Sequence, residues 1–386
     1  MAHIYLDYNA STPLDPRILK ILTQALEEDQ GNPSSIHFYG KESHHKLELS
    51  REKIARFFKV KPHEVIFTSG GTEGAALLIQ GAMARNPKGH VITSSAEHSC
   101  VYYTLKELSK KGANVSFLST GEKGAVSPEE VEKAITSTTC LITLMAVNNE
   151  TGVMTDIESI ARIAQQLNIP FVVDGVAWLG KDAIHIPSGV SAVFFSGHKI
   201  HAPKGIGFCI SRSSFKFHPL FFGGHQEFNR RPGTENLPSI IALAEAVALL
   251  ESEQGSYISH MRKMRDLFEQ ELMLRLPNVV INGLEPRICN TSNLAFLGLD
   301  GETLLINFDL EGVAASHGSA CSSGALEPSR ILLEMNIPFS RVQSSLRFSV
   351  GRSTTEEEIR EAVFRIVKVV ERLLLFKKRS SVGKEI

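Results

Sequence analysis

Short apolar runs rich in β-branched and aromatic residues alternate with stretches of helical period through the first two-thirds of the chain. The runs Val65–Thr68, His90–Ser94, Asn114–Leu118, Leu141–Val147, Phe171–Asp174, Ala192–Ser196 and Gly207–Ile210 predict strands. Between them, Ser127-Pro128-Glu129-Glu130 sets a cap, a first-turn proline and a capping-box glutamate in order. Thr155-Asp156-Ile157-Glu158 repeats that pattern ahead of an apolar-periodic stretch to about Leu167. Nearly continuous apolar strands alternating with helices predict an α/β fold whose mostly parallel sheet is covered on both faces.

Beyond about Pro238 the texture changes. A long helical pattern runs to about Leu274, interrupted once by Gly255. Shorter strands follow at Val279–Ile281, Ser292–Leu297 and Leu346–Val350, then a charged helix from Thr355 to about Phe376. The tail Lys377-Lys378-Arg379-Ser380-Ser381 reads as a frayed end. These patterns predict a large α/β domain over 13–255, and a smaller α+β domain built from 1–12 and 256–386.

Composition narrows the class of function. Of 386 residues, 42% are hydrophobic and 22% charged, an ordinary globular balance that excludes a disordered or fibrous chain. Lys and Arg number 41 against 42 Asp and Glu, so the excess of basic charge expected of a nucleic-acid or anionic-membrane binder is missing. No apolar run is long enough to span a bilayer. The opening Met1-Ala2-His3-Ile4-Tyr5-Leu6-Asp7 has no signal-peptide or transit-peptide pattern, so a cytoplasmic protein is expected. Five scattered cysteines without a Cys-x-x-Cys pair fit neither a disulfide framework nor a zinc site. At most one of them is expected to be chemical, the others small buried hydrophobes. His44 and His45 diverge by about 100° on a helix and are expected on a solvated face, not on a metal.

The candidate chemistry lies at strand ends. Lys199, in Ser196-Gly197-His198-Lys199, directly follows an apolar strand, where α/β folds place ligand sites. A lysine stripped of water there becomes a competent Schiff-base nucleophile. Asp174 ends the preceding strand in a carboxylate suited to holding a pyridine nitrogen protonated. Thr68-Ser69-Gly70-Gly71-Thr72-Glu73 passes from strand to helix, so its free amides, Gly71 and Thr72 among them, face an anion.

Taken in order, these segments resemble the fold-type I, class V pyridoxal-phosphate (PLP) enzymes, and within them the NifS/IscS-type cysteine desulfurases. The resemblance runs nearly end to end: Tyr5–Pro13, Gly31–Ser35, Thr68–Glu73, Glu97-His98, Val147–Gly152, Asp174, Ser196–Lys199, Arg231–Asn236, Gly318–Cys321 and Leu346–Arg352. It implies that Lys199 holds PLP as a Schiff base, that Asp174 pairs with the ring nitrogen, and that His98 stacks on the ring and assists acid–base steps. Gly71, Thr72, Ser196 and His198 would hold the phosphate. Thr234 would reach the neighbouring subunit's phosphate in a homodimer. Asn149 and Arg347 would bind the substrate α-carboxylate, with Arg352 a rival of Arg347. Cys321, in the small, polar setting His317–Gly324, would take the sulfur of L-cysteine as a persulfide and release alanine. An Fe–S scaffold or another sulfur-acceptor protein would then receive it.

The chain departs from the family pattern at three places. Where Asp-Ala-x-Gln is usual, it reads Asp174-Gly175-Val176-Ala177, without the amide donor. Gly74-Ala75-Ala76 replace polar residues after the phosphate turn, and His201-Ala202 replace Tyr-Gly after the lysine. The alternatives to a desulfurase are a selenocysteine lyase, which Cys321 disfavours, and a degenerate homologue acting as a binding or scaffold subunit.

Overall fold

The computed structural model describes residues 3–318 and 328–382. A two-residue strand, β1 (Ile4–Tyr5), precedes β2 (Val65–Thr68), β3 (His90–Ser94), β4 (Asn114–Leu118), β5 (Thr139–Met145), β6 (Phe171–Asp174), β7 (Ala192–Ser196) and β8 (Gly207–Ser211). The last seven form one sheet in the order β2-β8-β7-β6-β5-β3-β4. From β4 to β7 every pairing is parallel. β8 runs antiparallel to both neighbours, β7 and β2. It follows β7 after only residues 197–206, too few for the crossover that a parallel partner requires.

Alternate side chains divide between two apolar faces, as a period of two demands. Val172 and Phe194 pack with Leu78, Val101 and Leu105 on one face. Val173 and Phe195 pack with Ile54, Ile160 and Leu243 on the other. Ser127 forms the expected capping box with Glu130. The next helix, Ile157–Gln166, is capped by Asp156, and Ser159 rather than a glutamate receives the cap.

A second core lies beyond this sheet. β9 (Val279–Ile281) and β10 (Thr291–Phe296) are joined across β10 by β12 (Ser345–Ser349), while β11 (Val313–Ala314) pairs with β1. The helix Leu237–Arg275 spans 39 residues and runs unbroken through Gly255. Its Leu237, Leu243 and Leu250 belong to the first core, its Met261, Phe268 and Leu272 to the second. Thr355 and Glu358 cap the last helix reciprocally. That helix covers Glu356–Val382, so the basic run from Lys377 continues it instead of fraying. No Gly or Pro interrupts the helix before Val382. Among the described residues, no helix is long and apolar enough to cross a membrane.

Candidate active site

β6 and β7 lie side by side and parallel, so their C-terminal ends bring Asp174 and Ser196 to one edge. A short turn over Gly197–Lys199 then swings His198 and Lys199 round that edge. They open on a cavity of about 160 Å³, also lined by Gly71, Thr72, His98, Asn149 and Arg347. Nine of the expected site residues therefore share one cleft. Thr234 does not: it is exposed in the loop before Leu237. That loop is tied to the cleft, because Arg231 pairs at 2.8 Å with Glu73, whose other oxygen accepts the Ser69 amide. Cys321 lies outside the described residues.

Lys199 Nζ donates to the carbonyls of Asn9 and Ala10, the latter at 2.9 Å. Asp174 is buried, and burial lifts its carboxyl to about 6 against the pull of the Val176 amide and the Lys199 charge. His98 caps the helix Ser99–Lys110: its Nδ1 accepts the Cys100 amide at 3.2 Å and meets Cys100 Sγ at 3.0 Å. An accepting Nδ1 leaves the ring proton on Nε2. Burial, then the charges of Lys199, Arg330 and Arg347, push His98 down to about 4, so the ring is neutral. His198 falls to about 4 through burial and the neighbouring lysines.

At the opposite wall, Arg347 is buried on β12. It bonds Asp7 at 2.8 Å, the Asn149 carbonyl at 3.1 Å and the Ser316 hydroxyl at 3.2 Å. Its Nε and the Oδ1 of Asn149 are buried with no hydrogen-bond partner. An orphaned buried donor or acceptor costs about 1–3 kcal/mol, so this pair marks a place for a polar ligand. Arg352 faces a different, smaller cavity, where it pairs with Asp15 and lies over Tyr257. Arg347 lines the cleft of Asp174 and His98, and Arg352 does not.

The donor set fits PLP. The helix Gly71–Met83 starts without a side-chain cap, which leaves its first amides for an anion. A Cβ on Gly71 would come within 2.8 Å of Val176, so only glycine leaves that approach open. A buried carboxylate and a strand-end lysine share the same cavity.

Asn9, Cys100, Ala177 and Lys181 also line the cleft, and of these sequence reasoning singled out only Ala177. Cys100 packs against the apolar core, as expected of most of the cysteines, and also stands beside His98; burial raises its thiol pKa and keeps it protonated. Lys181 donates to Asn9 Oδ1 at 3.2 Å, and burial with the like charge of Lys199 lowers it to about 7. No sequence signal marks it, since its buried position depends on contacts far along the chain. His44 and His45 are exposed, and the described residues contain no cluster that could hold a metal.

Residues 4–361 match the family model described as aminotransferase class-V. A cysteine desulfurase IscS of Dictyoglomus turgidum is 39% identical over 96% of this chain and 95% of its own. A cysteine desulfurase of Nostoc is 39% identical over 97% of this chain and 94% of its own. Among solved structures, a NifS-like protein superposes with a TM-score of 0.89 at 31% identity, covering 96% of this chain and 99% of that one. SspA in complex with cysteine gives a TM-score of 0.80 at 29% identity, over 91% of this chain and all of that one.

Proposed function

This chain belongs to the class-V aminotransferase family, and we propose that it works as a PLP-dependent cysteine desulfurase, converting L-cysteine to L-alanine and an enzyme persulfide. The observation that carries the reading is Lys199 and Asp174 at the tips of adjacent strands, opening on one cavity with an uncapped helix start.

When bound, PLP supplies an electron sink for the pair released at the substrate α-carbon. The chain does the rest. Thr72, Ser196, His198 and the first amides of the helix Gly71–Met83 would hold the phosphate, and Asp174 would keep a proton at the ring nitrogen. Lys199 would offer its amine and then move a proton at the α-carbon. His98 would lie on the ring and hold a proton at Nε2 for the leaving sulfur. Arg347 would donate to the substrate carboxylate through its partnerless Nε, and Asn149 through its side-chain amide nitrogen. Cys321 would take the sulfur: its thiol proton leaves, a sulfur–sulfur bond forms as the substrate's carbon–sulfur bond breaks with its electron pair left on the β-carbon, that carbon takes up a proton in exchange, and alanine departs.

Three further features belong to the same reading. Thr234 would serve the phosphate of a second copy, which makes the enzyme a homodimer. The chain would divide into a large domain over 13–255 and a smaller one from 1–12 and 256–386, with the sulfur passed in the cytoplasm to an Fe–S scaffold or another acceptor protein. The test is the visible spectrum of the purified protein before and after L-cysteine, with alanine and persulfide quantified. Equal amounts of both, lost in Lys199→Ala, are expected. Alanine formed by Lys199→Ala would overturn the reading.

A further inference from the structure

The turn that presents His98 is gripped from outside the sheet. Ala96, in the elbow Ser95–Glu97, packs into a small separate core with Ile331, Leu332 and Met335. Arg330, which opens the helix Arg330–Glu334, donates one guanidinium nitrogen to the Ser95 carbonyl and another to the Glu97 carbonyl. The guanidinium lies 3.9 Å above the ring of Tyr102, a residue of the helix that His98 caps. One planar fork thus holds the elbow before His98 and the first turn after it. A lysine, with a single ammonium, cannot serve both carbonyls and stack as well. Beside it, Ser329 bonds Glu150, the neighbour of Asn149.

We propose that Arg330 is a positioning residue for His98, fixing the elbow and the first helical turn so that the ring is held in the cleft. Arg330 itself does not line the cavity. It acts through the backbone on either side of His98, and its charge joins those of Lys199 and Arg347 around the ring. The inference rests on the acid–base role of His98 given above. It also makes the chain that follows the Cys321 segment part of the apparatus that sets His98 in place.

The test is a double-mutant cycle on the holoenzyme, following alanine release from L-cysteine with Arg330→Gln, His98→Gln and the pair. Arg330→Gln is expected to lower kcat about tenfold with KM little changed, because a displaced ring costs at the chemical step. With His98 already replaced, the same change should cost no more than about twofold. Arg330→Lys keeps the charge without the fork and should restore only part of kcat. A loss of equal size in both backgrounds, or wild-type kcat in Arg330→Gln, overturns the proposal. NMR of the His98 ring adds a second readout: its chemical shifts should move in both Arg330→Gln and Arg330→Lys, since both lose the fork, and unmoved shifts in both also overturn the proposal. If His98→Gln left kcat unchanged, the acid–base reading would fall instead, and the ring shifts would still decide the placement by Arg330. If Arg330→Gln does not fold, Tyr102→Leu, which removes the ring under the guanidinium, carries the same cycle.

Discussion

Lys199 and Lys181 hold two different oxygens of one residue, Asn9: Lys199 bonds its backbone carbonyl, Lys181 its side-chain oxygen. The Asn9 amide in turn reaches Thr291 at 2.8 Å and the Asn149 carbonyl at 3.2 Å. One asparagine therefore links a buried amine, Lys181, and a half-buried one, Lys199, to the wall that carries Arg347. A cleft so rich in cations suits a phosphate and a carboxylate.

The Lys181 pair gives a pH dependence with a definite sign. Its pKa is lowered to about 7 in the folded protein, so between about 7 and the ordinary lysine value the unfolded chain binds more protons. The cost of burying the charge is full below that window and vanishes as pH rises through it. In cofactor-free protein, Lys181→Met should therefore gain melting temperature over wild type at pH 7, and the gain should shrink by pH 10. Thermal melts at the two pH values measure it.

Asp174 carries the opposite proton count. Raised to about 6, it binds more protons folded than unfolded from about pH 4 to 6, so the folded state loses stability as pH rises through that interval. Two units correspond to about 3 kcal/mol. Cofactor-free Asp174→Asn should be more stable than wild type at pH 7 by up to about that amount, converging with it near pH 4, while PLP binds more weakly. Urea unfolding at both pH values, with a cofactor titration, provides the check.

The persulfide should map to Cys321. Burial raises the thiol pKa of Cys100, Cys140 and Cys209, and holds Cys289 at about 11, so none of the four supplies a ready thiolate. Cys321→Ser is expected to retain PLP and bind L-cysteine without forming a persulfide. Peptide mass spectrometry that found the persulfide on Cys100 instead would contradict this.

Thr234 is exposed on its own subunit, within a loop that Arg231 anchors to the Thr72 helix. Protomers carrying Lys199→Ala, mixed with protomers carrying Thr234→Ala, should recover part of the activity that neither parent shows. A monomer with full activity in sedimentation would exclude the shared site.

Much of the sheet was legible because its strands are short apolar runs with clear ends. Phe171–Asp174 and Ala192–Ser196 were read to the residue, and with them the adjacency of Asp174 and Lys199. β1 and β11 were not, since two-residue strands carry no periodicity and exist only through their pairing. Residues inside ordered motifs are legible, whereas Lys181 and Cys100 in the cleft and Arg330 behind it are not. Lys181 and Arg330 owe their places to chain far away, Lys181 to Asn9 and Arg330 to the carbonyls of Ser95 and Glu97. Contacts of such long range leave no local pattern.

The helix Leu237–Arg275 touches both walls of the cleft from behind. A Cβ on Gly197, in the turn that carries Lys199, would come within 3.1 Å of Leu243, so that leucine props the lysine turn. Near the other end, the ring of Phe268 packs tilted against Phe348, the neighbour of Arg347, with centroids 5.0 Å apart. About 38 Å of helix axis separates Leu243 from Phe268. One unbroken helix thus joins the packing behind the lysine turn to the packing behind the arginine strand, so a kink along it is expected to shift one wall against the other without touching either residue.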